Sequence, residues 1–338
     1  MKHRAAVSPC CAVALAALFA TLLPAQVTFD HELGKPLVAA DATIERLATG
    51  HAFTEGPVWD VRNQRLVYSD IPVQKWFAWT ERTGRTELGA SAGANGNTLD
   101  GALRLVSCRH DARDVIRTEL DGAQTVLVAS HDGKPLNSPN DVVVYRDGTV
   151  WFTDPTYGLG KRAKEQAGNF VYRFDPTSKA LTIVQRDFDM PNGLCFSPDG
   201  RTLWIADSGK KQRIGAFPVR EDGTLGDAVR WLEGGADGMR CDERGNLWAA
   251  ARDGVRVFAP NGERLLRIQL PEGPANLCFG GADGRSLFVT ARSSLYRVVV
   301  LVAGAPVPAV PTSAPGKEAP AEPPTKTPAE TKEPAKDR

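Results

Sequence analysis

Asn140-Asp-Val-Val-Val-Tyr-Arg-Asp-Gly-Thr-Val-Trp-Phe-Thr-Asp154 and Asn192-Gly-Leu-Cys-Phe-Ser-Pro-Asp-Gly-Arg-Thr-Leu-Trp-Ile-Ala-Asp207 follow one pattern. An apolar run, an Asp-Gly turn and a second apolar run make a β-hairpin, because glycine supplies the positive φ of a tight turn. The same pattern opens at Asp237 (Asp-Gly-Met-Arg-Cys-Asp-Glu-Arg-Gly-Asn-Leu-Trp) and at Asn276 (Asn-Leu-Cys-Phe-Gly-Gly-Ala-Asp-Gly-Arg-Ser-Leu-Phe). It also opens at Glu55, where Asn63 stands at the turn-glycine position, and in shortened form at Asn95. The six opening residues are 40, 45, 52, 45 and 39 residues apart. Further strand-like runs lie between copies, at 169–174, 181–185, 255–259 and 265–270. Four strands per unit at this period describe propeller blades. The expectation is an all-β, six-bladed β-propeller.

The ends of the 338-residue chain read differently. Residues 1–26 hold Lys2, His3 and Arg4, an apolar run from Ala12 to Leu23, then Pro24-Ala25-Gln26. This is the layout of a secretory signal peptide, cleaved after Ala25 or Gln26, and it places the mature protein in the periplasm or outside the cell. The apolar run is short for a membrane span, and the mature chain has no longer one. Residues 304–338 carry nine of the 24 prolines amid Ala, Glu, Lys and Thr, the composition of a disordered tail. The propeller is therefore expected over 27–303.

Charge is balanced, with 41 basic and 40 acidic residues and no basic block in the folded part, which disfavours nucleic acid as a partner. Cys108, Cys195, Cys241 and Cys278 lack metal-ligand spacing and read as buried thiols in strands; disulfides are the alternative in an exported protein.

The residues opening the hairpins, Glu55, Asn95, Asn140, Asn192, Asp237 and Asn276, all carry a side-chain oxygen. Equivalent positions on innermost strands ring the central channel of a propeller. A ring of oxygen donors with two carboxylates suits a hard cation such as Ca²⁺, which takes six to eight oxygen ligands. Mg²⁺ and Mn²⁺ fit the same donors, and Zn²⁺ fits them less well for want of paired histidines or thiolates. Asn and Asp also begin strands for turn chemistry alone; six matching positions favour the metal site. Asp70, Asp154 and Asp207, which end the following strands, read as turn and capping residues.

Phe53-Thr-Glu-Gly-Pro-Val-Trp59, Asn137-Ser-Pro-Asn-Asp-Val-Val-Val144, Trp151-Phe-Thr-Asp-Pro-Thr-Tyr-Gly158 and Met190-Pro-Asn-Gly-Leu194 strongly resemble the gluconolactonase/SMP-30 (regucalcin-like) family. The resemblance implies a six-bladed propeller that hydrolyses lactones with a divalent cation, usually Ca²⁺, at the top of its channel. It implies Glu55, Asn192 and Asp237 as metal ligands, Asn140 as a ligand of metal or substrate, and Asp237 as general base or nucleophile. Asn95, Asp141, His110 and Tyr157 are the further candidates for the substrate pocket. Ser138 stands where vertebrate members place an arginine that holds a sugar lactone.

The expected activity is hydrolysis of a small lactone, with the cation polarising the carbonyl and Asp237 drawing a proton from water. No Gly-x-Ser-x-Gly elbow offers a serine nucleophile. Two alternatives stay open: a phosphotriesterase or promiscuous esterase on the same metal, and a non-catalytic propeller that binds a sugar or a protein. Asp237 speaks against the second, since asparagine would complete the ring as well.

Overall fold

The computed structural model describes residues 21–306. Six antiparallel sheets stand around one axis, and their innermost strands touch in sequence until the sixth meets the first. Blade 1 spans 54–90, blade 2 94–128, blade 3 142–185, blade 4 191–233, blade 5 239–269 and blade 6 276–299. Among the described residues there is no α-helix, only two short 3₁₀ turns, and so no helix long and apolar enough to cross a membrane.

Each blade runs from the axis outward, in chain order. Blade 6 is the exception: it has three strands of its own and takes its fourth, Thr43–Ala48, from the start of the chain. Tyr296 pairs with Arg46 and Val298 with Ile44, and Arg297 clasps Glu45 across the pair. This long-range pairing closes the ring. Thr21–Pro24 adds a fifth strand beyond Thr43–Ala48, and Gln26–Phe29 adds a fifth to blade 5. The described chain therefore enters its sheets inside the segment expected to be signal; residues 1–20 lie outside the described ones. At the other end Ala305 N still donates to Cys241 O (3.0 Å), and the rest of the expected tail lies outside the described residues.

The hairpin turns follow the sequence signal. Gly148 and Gly200 sit at φ +85° and +69°, while Asp147 and Asp199 accept the N–H groups of Thr149 (2.8 Å) and Arg201 (3.0 Å). In blade 1 the positive φ falls on Gln64 (+49°), one residue after Asn63, whose N–H is held by Asp60.

The period of two along each strand directs side chains to opposite neighbours. In blade 3, Val142 pairs with Phe152 and packs towards blade 2; Val143 pairs with Trp151 and packs towards blade 4. Trp151, Trp248, Tyr68, Tyr172 and Phe288 are fully buried between blades, each side chain contributing about 2–3 kcal/mol by area. Among the described residues Cys108, Cys195, Cys241 and Cys278 are all free and buried, in keeping with the buried-thiol reading.

Candidate active site at the channel mouth

Each hairpin-opening residue is the first or second residue of the innermost strand of its blade or, for Asn140 and Asp237, stands two residues ahead of it. The residue that follows is glycine in four of the six: Gly56, Gly96, Gly193 and Gly238. A Cβ on Gly193 would lie 2.1 Å from Asp237 O, and one on Gly238 would lie 1.8 Å from Asn276 Oδ1. Only glycine lets the next blade come so close. Gly193 N donates to Asp237 O (3.0 Å) and Gly96 N to Asn140 O (2.8 Å), so successive openings are tied to one another.

The aspartates ending the second strands hold these openings from outside. Asp70 accepts the N–H groups of Ala52 and Phe53, Asp154 those of Asn137 and Ser138, and Asp207 that of Met190. Each carboxylate fixes the segment that leads into its blade's opening residue, the capping role read from sequence. Ser138 Oγ accepts from Gly158 N (2.8 Å), so Ser138 is tied to the neighbouring loop.

A cavity of about 860 Å³ opens at this end of the channel. Glu55, Asn95, Asn140, Asn192 and Asp237 line it, together with His110 and Tyr157. Two expected members stand elsewhere. Asn276 lies beside the ring, donating from Nδ2 to Glu55 Oε2 (2.9 Å) and accepting Leu277 N at Oδ1. Asp141 is not part of the cavity wall. Its carboxylate is buried, accepts Val142 N (3.0 Å) and faces Arg240 at 3.6 Å.

The acids share one electrostatic predicament. Burial first, then the charge of Asp237, pushes Glu55 well above the usual carboxylate range, against the Gly56 N–H, which donates to Oε2 at 2.6 Å. Burial likewise raises Asp237; the Asn192 side chain opposes the rise and Asp141 adds to it. Among the described residues no cation pairs with Glu55 or Asp237. No three His, Cys, Asp or Glu side chains cluster as ligands there either; the donors are two carboxylates among amides. Buried negative charge of this kind asks for a positive partner. The oxygen donors available suit a hard divalent ion.

His110 closes one wall. Asn95 Nδ2 donates to its Nε2 (3.1 Å), and Arg162 donates to its backbone oxygen (3.0 Å). Burial, with the Arg162 charge second, lowers its pKa to about 4, so the imidazole is neutral at neutral pH. Tyr157 stands at the half-open rim, its phenol pushed up to about 12 by burial and then by Asp237.

A second tier of the wall extends beyond the candidates read from sequence, His110 excepted. The residue just after the second strand of each blade is Ile71, His110, Pro155, Ser208, Arg252 or Arg292, and all but Pro155 line the cavity. The signal was present in the repeat: each of these positions follows the second strand, as His110 does. Arg252 and Arg292 follow alanines rather than the aspartates that mark blades 1, 3 and 4.

Comparison with known proteins agrees with this architecture. Residues 53–293 match the family model for the SMP-30/Gluconolactonase/LRE-like region. A gluconolactonase of Zymomonas mobilis is 30% identical over 287 residues, covering 75% of this chain and 80% of the relative. A 6-deoxy-6-sulfogluconolactonase of Pseudomonas putida is 29% identical over 252 residues, covering 70% and 82%. The solved structure of a gluconolactonase from Xanthomonas campestris superposes with a TM-score of 0.78 at 34% identity, over 83% of this chain and 97% of that one.

Proposed function

Since the chain belongs to the SMP-30/gluconolactonase/LRE-like family, we propose that it is a hydrolase that opens small sugar lactones at the mouth of its channel. The observation that carries the reading is the meeting of Glu55, Asn140, Asn192 and Asp237 in one cavity with a neutral His110 and Asn95 on its wall. The relatives bearing lactonase names, in Zymomonas mobilis and Pseudomonas putida, support the reaction class.

Glu55, Asn140, Asn192 and Asp237 are the residues that would hold a divalent cation, with Ca²⁺ favoured by an all-oxygen donor set. When bound, such an ion supplies positive charge to the lactone carbonyl oxygen as negative charge develops there. The rest falls to the chain. The Asp237 carboxylate takes a proton from the attacking water, steadied by the Asn192 amide. The water oxygen bonds to the carbonyl carbon, the ring C–O bond breaks, and the proton passes to the departing ring oxygen. The Asn95 amide and the imidazole of His110, already joined by a hydrogen bond, present polar edges to the sugar hydroxyls. Tyr157 limits the approach of water from the rim. The acid product ionises, so turnover releases a proton to solution.

Proton release from glucono-δ-lactone tests the reading, with Ca²⁺, with EDTA, and in Asp237→Asn. Turnover that falls on chelation and in the variant is expected. A folded protein that binds Ca²⁺ yet turns over no lactone refutes it; parallel assays with organophosphate esters then decide for or against phosphoryl transfer. Export rests on the sequence of residues 1–26, and N-terminal sequencing of protein recovered outside the cytoplasm tests it. A mature terminus at Gln26 or Val27 would mean that the active protein works without the Thr21–Pro24 strand.

A further inference from the structure

Arg252 and Arg292 occupy equivalent positions on adjacent blades, each just past the second strand, and both line the cavity. Both are exposed. Between them passes the loop joining blades 5 and 6. A Cβ on its Gly273 would lie 3.7 Å from Arg292 Nε and 3.8 Å from Arg252 O, so the absent side chain leaves a gap bordered by the two residues.

Neither guanidinium has a hydrogen-bond or ion-pair partner among the described residues, although two acids are neighbours in the chain. Asp253, which follows Arg252, is taken by Arg256 (2.9 Å) and Arg267 (3.1 Å). Glu272, which precedes Gly273, is turned to Ser293 N (2.9 Å), Ser293 Oγ (2.8 Å) and Tyr296 Oη (2.8 Å). Arg256 is itself spent on Asp253 and on Gly234 O (2.8 Å). The equivalent positions on the other blades, Ile71, His110 and Ser208, supply no carboxylate. Two permanently charged forks are thus left facing the cavity.

We propose that Arg252 and Arg292 form an anion subsite that selects sugar lactones bearing a negatively charged substituent, such as a carboxylate, phosphate or sulfate, away from the reacting carbonyl. The inference rests on the lactonase reading for its substrate. It adds that the ring carbonyl points to the acid and amide floor while the charged end sits at the blade 5–blade 6 rim. Guanidinium groups suit such an oxyanion because they donate paired, charge-assisted hydrogen bonds.

The test is calorimetric titration of the Ca²⁺-loaded full chain with D-glucarate, a dicarboxylate, and D-gluconate, its monocarboxylate counterpart, at fixed free Ca²⁺. Glucarate is expected to bind at least about tenfold more tightly, and Arg252→Gln and Arg292→Gln each to cut that ratio by about tenfold, the worth of one hydrogen bond to a charged group. Arg→Lys at either position should restore part of the ratio. A wild-type ratio near one, or a ratio untouched by both substitutions, overturns the inference. The two readings separate cleanly. Hydrolysis of neutral lactone with a ratio of one keeps the lactonase and removes the subsite. A high ratio carried by the arginines, with no lactone turned over, keeps the subsite and removes the lactonase.

Discussion

Replacing His110 by glutamine should change how stability depends on acidity. His110 is 6% exposed, held by Asn95 at Nε2 and with the Arg162 guanidinium on its backbone oxygen, and its pKa falls from 6.5 to about 4. The folded protein therefore resists a proton that the unfolded chain accepts below about 6.5. Stability from this group is complete above that pH and is lost as pH falls towards 4. The full drop is on the order of 3 kcal/mol, of which about 2 kcal/mol is spent between pH 7.5 and pH 5. Glutamine offers an oxygen near the Nε2 position to accept from Asn95 and has no titration of its own. Urea unfolding of both proteins at pH 7.5 and pH 5, compared as a difference, cancels the other titrating groups. The wild type's margin over the variant should shrink by about 2 kcal/mol on acidification. Parallel stabilities at the two pH values would refute the reasoning and would mean that His110 is protonated as easily in the fold as out of it.

Three further outcomes are expected. Gly158→Ala puts a Cβ 2.4 Å from Ser138 Oγ and 2.5 Å from His110 Cβ; it should cost about 1–3 kcal/mol in chemical denaturation and raise KM for lactones by displacing the His110 wall. Glu55→Gln, measured by unfolding in EDTA near pH 8, should stabilise the protein by about 1 kcal/mol, because it removes a charge that burial and Asp237 both disfavour. The same variant should forfeit most of the stabilisation that added Ca²⁺ gives the wild type; loss of stability in EDTA as well would contradict the electrostatic account. With Cys10 and Cys11 replaced by serine, thiol titration should find no reactive cysteine in the native protein and four after unfolding, including Cys195 and Cys241, whose sulfurs lie 3.9 Å apart.

The blades were legible because turn chemistry and strand alternation are local: Asp147-Gly148 and Asp199-Gly200 announce their hairpins in two residues. The residues opening the hairpins were legible because repetition compares six positions at once. Ring closure was not, since the pairing of Thr43–Ala48 with Ser294–Val299 joins the chain's ends and leaves no mark on either segment alone. Asp141 shows a different limit. Its neighbour Asn140 lines the cavity, whereas the Asp141 carboxylate is buried outside the lining, facing Arg240 while its charge still acts on Glu55 and Asp237. The arginines at 252 and 292 mark the converse. Nothing about either residue alone distinguishes it from the many solvated arginines of the chain. Their meaning depends on Asp253 and Glu272 being occupied elsewhere, and which carboxylate is free is decided by contacts between blades. The repeat can place a side chain at the cavity wall, but only the packed structure shows whether its charge has already been answered.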